Sequence, residues 1–142
     1  MKKILAVVAL SIFLFVETAL AVTWHTFDGQ AIGWDAVITL GNGNPIPVGD
    51  TITYNVYIVP ETKDAVYAVL LGNTANTEYL IGSVDEGRYF VGVSTVRLPV
   101  DSTINEESEI SWSANAVRCY NNETFGLVFY ASAATPKGLH YS

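Results

Sequence analysis

Side chains able to do chemistry are few in this chain, and their spacing is poor for it. His25 and His140 are the two histidines, near opposite ends, and neither belongs to an HxH, HExxH or Cys/His ligand pattern. Cys119 is the single cysteine, either a small buried hydrophobe or a reactive or intermolecular-pairing thiol, and with no CxxC partner and no neighbouring histidine it is assigned no chemistry. The chain contains no GxSxG elbow, no GxxxxGK[ST] or GxGxxG phosphate loop and no DxDxDG calcium loop. A glycosidase needs two positioned carboxylates. Asp28, Asp35, Asp85 and Glu86 are the candidates, and each falls at a turn or strand end where a solvated carboxylate is the ordinary outcome. No catalytic, cofactor-binding or metal-binding residue is therefore assigned, and the expectation is a protein that is not an enzyme. The remaining functional candidates are aromatic. Trp24, Tyr57, Tyr67, Trp112, Tyr120 and Tyr130 offer faces for stacking on sugars or anchors for a protein partner, or else cover an outer sheet face as cross-strand pairs.

The elements that would position these side chains begin after a leader. Lys2 and Lys3 precede an uncharged apolar run from Ile4 to Val16, and Ala19-Leu20-Ala21 supplies the small residues of a cleavage site. Residues 1–21 read as a bacterial-type secretory signal peptide, because Glu17 interrupts the run well short of the roughly 20 residues a membrane span requires. The residue after the cut is Val22, not the cysteine of a lipoprotein. The expected product is secreted, periplasmic or extracellular, with no membrane insertion.

Residues 22–134 suffice for one domain with a sizeable core. The formal charge of −7 becomes −8 once the leader's two lysines and one glutamate are removed, a surface that repels nucleic acid. With one thiol and no disulfide partner, packing must hold the fold.

The body of the chain reads as short strands. Thr51 to Val59 alternates with period two, setting Ile52, Tyr54, Val56 and Ile58 on one face against Thr51, Thr53, Asn55 and Tyr57 on the other. Similar runs at Gln30–Val37, Ala65–Leu71, Glu78–Val84, Arg88–Arg97, Glu109–Ser113 and Thr124–Ala131 make seven candidate strands. Turn residues separate them at Gly41-Asn42-Gly43-Asn44-Pro45, Gly49-Asp50, Gly72-Asn73, Asp85-Glu86-Gly87 and Asn121-Asn122. No stretch after the leader keeps a helical apolar period with caps. The pattern predicts an all-β sandwich.

Several of these segments together resemble the fibronectin type III domain. Ala31-Ile32-Gly33-Trp34-Asp35-Ala36 is similar to its second strand, Gly49 to Tyr57 to its third, and Glu78 to Ser94 to its fifth strand, turn and sixth strand, with Tyr89 at the position of the corner tyrosine. Glu107 to Ser111 resembles the closing strand. The resemblance spans roughly residues 28–113 and implies an immunoglobulin-like β-sandwich of about seven strands, with Thr124 to Tyr130 adding a C-terminal strand that extends one sheet or covers an edge. The chain departs from the family at Val84, where leucine is usual, in a long Leu40 to Val48 loop, and in the wide Leu98 to Asn105 separation of the last two strands. On physical grounds Trp34 fills the space between two sheets, and Tyr89 packs inward while its hydroxyl bonds back to the backbone. The Arg-Gly-Asp tripeptide is absent, and Asn122-Glu123-Thr124, a glycosylation acceptor in form, is idle behind a bacterial leader.

The composition turns to small residues, Pro and Gly at Ala131. Pro136-Lys137-Gly138-Leu139 resembles the opening of a further repeat, so residues 135–142 are expected to be a linker-like tail. The function implied is a non-catalytic extracytoplasmic module binding a protein or cell-surface glycan, or acting as a spacer. The alternatives are a small carbohydrate-binding or adhesin-like protein using surface aromatics and the Leu40 to Val48 loop, and a secreted hydrolase with an unrecognised carboxylate pair.

Overall fold

The computed structural model describes residues 21–29, 31–114, 124–130, 137–138 and 141. The leader through Leu20, Cys119, Tyr120, Asn121-Asn122, His140 and most of the 135–142 tail lie outside the described residues. The described residues form nine strands: β1 (Thr23–Thr26), β2 (Ala31–Gly33), β3 (Thr51–Pro60), β4 (Val69–Thr74), β5 (Glu78–Leu80), β6 (Gly87–Leu98), β7 (Glu106–Glu107), β8 (Ser111–Trp112) and β9 (Phe125–Phe129). They contain no α-helix, and no helix long and apolar enough to cross a membrane.

Seven strands make one mixed sheet in the order β1-β9-β6-β3-β4, with β7 and β8 paired to the rest of β6. The antiparallel β3–β6 ladder runs from Thr51↔Leu98 to Pro60↔Tyr89 and is the longest pairing. Its alternation behaves as the residue types dictate. Val56, Ile58 and Val91 turn to the inner face and, with Leu127 and Phe129 of β9 and Ile81, form the buried core. The second sheet is small, β2 against β5, with Ile32 opposite Tyr79. Ile32, Trp34, Tyr79 and Val84 bring this layer down onto the core. β9 lies within the larger sheet, antiparallel to β6 and parallel to β1.

Three expected elements are corrected. Ala65–Leu71 does not form one strand. Ala65–Tyr67 is a 3-10 turn closed by Tyr67 N–H to the Asp64 carbonyl (2.9 Å), and β4 starts only at Val69. Val66 and Tyr67 have strand-favouring side chains, but the chain is still reversing there and offers them no neighbouring ladder. Gly72-Asn73 is not a turn but lies inside β4. Gly72 serves a close approach: the Tyr79 hydroxyl would stand 2.6 Å from a Cβ at this position, and it donates to the Leu71 carbonyl at 3.1 Å. The strand number also rises from seven to nine. β1 and β7, Thr-Trp-His-Thr and Glu-Glu, carry too little apolar alternation to register as strands, while the runs at 30–37, 78–84 and 109–113 shorten to their paired cores.

Two further glycines are fixed by rings on the outer face of the larger sheet. A Cβ on Gly92 would meet the Trp112 ring at 2.7 Å, and one on Gly126 would overlap the Trp24 ring. In both cases an indole lies where the missing side chain would be.

Candidate functional site

The second layer stops short of one end of the β3–β6 ladder. Beyond Tyr54, which meets Trp34 edge-on at a centroid distance of 5.4 Å, the inner face is roofed instead by the loop that leads into β3. The loop is a built structure. Thr39 bridges Pro45, Leu40 N–H donates to the Asn44 carbonyl at 2.7 Å, and Gly43 N–H donates to the Leu40 carbonyl at 2.9 Å. The Tyr54 hydroxyl accepts from Val37 N–H at 3.0 Å and pins the loop's start to the sheet. Between loop and sheet lies an open groove of about 550 Å³. Val37, Leu40, Ile46 and Ile52 give it an apolar wall, and Arg97 with Glu106 and Glu107 of β7 give it a charged one.

Arg97 is held on two sides. Its Nε donates to Asp50 Oδ2 at 2.6 Å and its Nη1 to Glu106 Oε2 at 3.1 Å. The Asp50 side chain is only 1% exposed, and its other oxygen accepts from Val100 N–H at 3.0 Å. The hydrogen bond from Arg97 holds the Asp50 carboxyl below its ordinary range, and the same bond raises Arg97. Both therefore stay charged. Asp50 ties the turn before β3 to the end of β6, fixing the guanidinium along the groove.

Glu107 connects the groove to the outer face of the sheet. Its Oε1 accepts from Ser94 Oγ (2.5 Å), from the Tyr57 hydroxyl (2.5 Å) and from Asn55 Nδ2 (3.1 Å). The row continues across β4, where Asn73 Nδ2 donates to Asn55 Oδ1 and Thr53 Oγ1 at 2.9 and 3.0 Å. The donors from Ser94 and then Tyr57 hold Glu107 below its ordinary pKa, and in return Glu107 raises Tyr57. A carboxylate held ionised by neutral donors is an acceptor, not an acid. Chemically the site offers fixed hydrogen-bonding groups beside an aliphatic wall.

The residues singled out by sequence distribute unevenly. Trp24, Tyr57 and Trp112 share the outer face. Trp24 covers Gly126, leans on Phe90 at 5.3 Å, and has the Arg88 guanidinium 5.0 Å from its ring. Tyr67 stands at the far edge beside β4, with Lys63 Nζ 5.4 Å from its ring, and Tyr130 is exposed just after β9. Asp28, Asp35, Asp85 and Glu86 are all exposed and follow β1, follow β2 and precede β6 respectively. His25 lies edge-on to Phe125 at 6.2 Å. Among the described residues no group of three or more His, Cys, Asp or Glu side chains could hold a metal ion.

The charged residues that matter most, Asp50, Arg97 and Glu107, drew no functional notice in the sequence. The available signal was Arg97 itself, a charge on the apolar phase of a strand, which requires a buried partner. Most of the groove's roof is made of the long Leu40 to Val48 loop. No family model, no curated protein and no solved structure matches the chain, so this reading rests on the groove's own geometry.

Proposed function

We propose that this chain is an exported, non-catalytic recognition module built as a fibronectin type III-like sandwich, and that it takes a protein partner in the groove beneath the 37–46 loop. Several features support the finer fold. The two segments resembling the family's second and fifth strands pair with each other, as do those resembling its third and sixth. Trp34 packs between the layers, and the Tyr89 hydroxyl donates to the Asp85 carbonyl at 3.0 Å, the bond of a tyrosine corner. One departure is plain: β1 pairs with β9 in the larger sheet, whereas the first strand of an immunoglobulin constant-type sandwich lies in the same sheet as the second and fifth strands, whose counterparts here are β2 and β5.

The observation that carries the functional reading is the mixed wall of the groove, aliphatic on the loop side and charged on the β6–β7 side, a lining that fits an extended segment with alternating apolar and polar side chains. Gly41 provides the test. It lines the groove, and nothing lies within 4 Å of a Cβ built there, so Gly41→Trp adds a large ring at the groove without displacing a neighbour of that Cβ. In a pull-down and glycan-array screen with the mature chain, the proposal expects a protein partner that binds at least about tenfold more weakly to Gly41→Trp, with an unchanged melting temperature. Capture of the same partner equally by both forms, or of none by the wild type, contradicts it.

A glycan reading has its own support in the outer face, where Trp24, Tyr57 and Trp112 accompany the Asn55, Asn73 and Glu107 hydrogen-bonding row. A glycan hit lost on Asn73→Ala but kept by Gly41→Trp would assign recognition to that face.

A further inference from the structure

The charged wall of the groove is unbalanced. Arg97 is the one base among the lining residues, and it is already engaged, Nε by the buried Asp50 carboxylate and Nη1 by Glu106. Against it stand Asp50, Glu106 and Glu107, with Asp101 in the turn that Asp50 caps through Val100 N–H, so four carboxylates and one guanidinium leave three negative charges at this end of the ladder. Glu106 meets Arg97 through Oε2 alone, and its side chain is 63% exposed. All three bonds to Glu107 fall on Oε1. Among the described residues, one oxygen of each glutamate is therefore left to a donor from outside. The facing wall carries no charge, since no Lys, Arg, Asp or Glu occurs from Ala36 through Gly49.

We propose that the segment taken by the groove is cationic, an extended stretch of the partner protein in which lysine or arginine alternates with aliphatic residues. The inference rests on the groove reading above and names the chemistry of the occupant. Successive side chains of an extended segment point to opposite sides. One set then meets Val37, Leu40 and Ile46 on the loop, and the other meets Glu106 and Glu107 on β7. Charge decides between the possible polar sets. A ligand carboxylate would face two glutamates across from an arginine already neutralised by Asp50, a like-charge arrangement that complementary interfaces avoid. A basic side chain completes the free oxygens instead. The formal charge of −7 acts in the same sense, drawing cationic segments toward the chain at long range. The chain's own bases do not compete for the site. Lys63 and Arg88, the other bases among the described residues from 21 to 130, stand at the opposite end of the ladder, near the rings of Tyr67 and Trp24.

Fluorescence anisotropy with three labelled peptides, which alternate valine with lysine, with serine or with glutamate, tests the choice on the mature chain. The lysine peptide is expected to bind at least about tenfold more tightly than the glutamate peptide, with the serine peptide between them, and to weaken as salt is raised. Glu106→Gln, which keeps an acceptor for Arg97, is expected to weaken the lysine peptide by about threefold, the scale of one exposed ion pair. Glu106→Lys is expected to weaken it further, by at least about tenfold, and Gly41→Trp to weaken all three peptides alike. Circular dichroism and melting temperature establish that each variant is folded. Serine or glutamate peptides that bind as tightly as the lysine peptide and are lost on Gly41→Trp overturn the cationic occupant while keeping the groove. A lysine peptide that binds Gly41→Trp as well as wild type overturns the groove reading and this inference with it. A lysine peptide that does not bind, or that both Glu106 substitutions leave unchanged, overturns the inference alone.

Discussion

The two ends of the β3–β6 ladder are made by the same pair of strands and are finished in different ways. At the Ile58–Val91 end the inner side chains are aliphatic, and Ile32, Trp34 and Tyr79 of the second layer lie over them. At the Ile52–Arg97 end the second layer is missing, the loop from Val37 to Ile46 replaces it, and an arginine clamped by Asp50 and Glu106 stands where an aliphatic residue would otherwise pack. The first arrangement buries apolar area and supplies stability, at about 25 cal/mol per Å² removed from water. The second leaves a groove whose charged groups are satisfied without being sealed. An open groove and a sealed core are thus separated along one pair of strands by where the covering layer ends.

The sharpest way to break this comparison is to truncate equivalent residues at the two ends. Ile58→Ala, deep in the core, is expected to cost about 2 to 5 kcal/mol. Ile52→Ala, on the same face six residues earlier along β3, lines the groove and is expected to cost clearly less, because its site is already open to solvent. Chemical denaturation of the two variants decides it. Equal losses would mean that both ends are sealed alike.

A second substitution tests the outer face, where rings rather than a second layer cover the sheet. Gly92→Ala drives a methyl group into the Trp112 ring and is expected to destabilise by about 1 to 3 kcal/mol through overpacking. A neutral outcome would show that the indole moves aside at little cost and is no fixed part of the sheet.

How far the sequence disclosed this arrangement depended on strand length. The nine-residue alternation from Thr51 to Val59 fixed both faces of β3, and the Trp34 and Tyr89 roles follow from what a large ring and a corner hydroxyl need. The groove was half legible. Its roof is the long loop already marked by Gly41 to Pro45, but its charged wall comes from contacts between residues far apart in sequence, such as Asp50 with Arg97 and Tyr57 with Glu107. Local periodicity carries no record of such pairs. β1 and β7 stayed hidden for a related reason: they are strands because β9 and β6 lie beside them, not because their own residues insist on it.

The smallest expected effect concerns pH. Glu107 has a folded-state pKa below its unfolded value near 4.5, so its contribution to stability is complete above that value and is lost as the pH falls through the folded pKa. Asp50 behaves in the same direction through its bond with Arg97. Melting temperature should therefore hold steady from neutral pH to about 5 and decline below 4.5, and Glu107→Gln should make that acid decline shallower. An identical decline in the variant would remove Glu107 from the linkage.

Residue-resolved native-state hydrogen exchange along β6 examines the division between the two ends most directly. Val91 and Thr95 give their N–H groups to Ser113 Oγ and Ser108 Oγ, so the amides of the alternate residues, Phe90, Gly92, Ser94, Val96 and Leu98, face β3. Phe90 and Gly92, beneath the covered end, are expected to exchange only through global unfolding, whereas Val96 and Leu98, at the groove, should exchange at least about tenfold faster through local opening. Uniform protection from Phe90 to Leu98 would contradict the separation of a sealed, stabilising end from an open, grooved one.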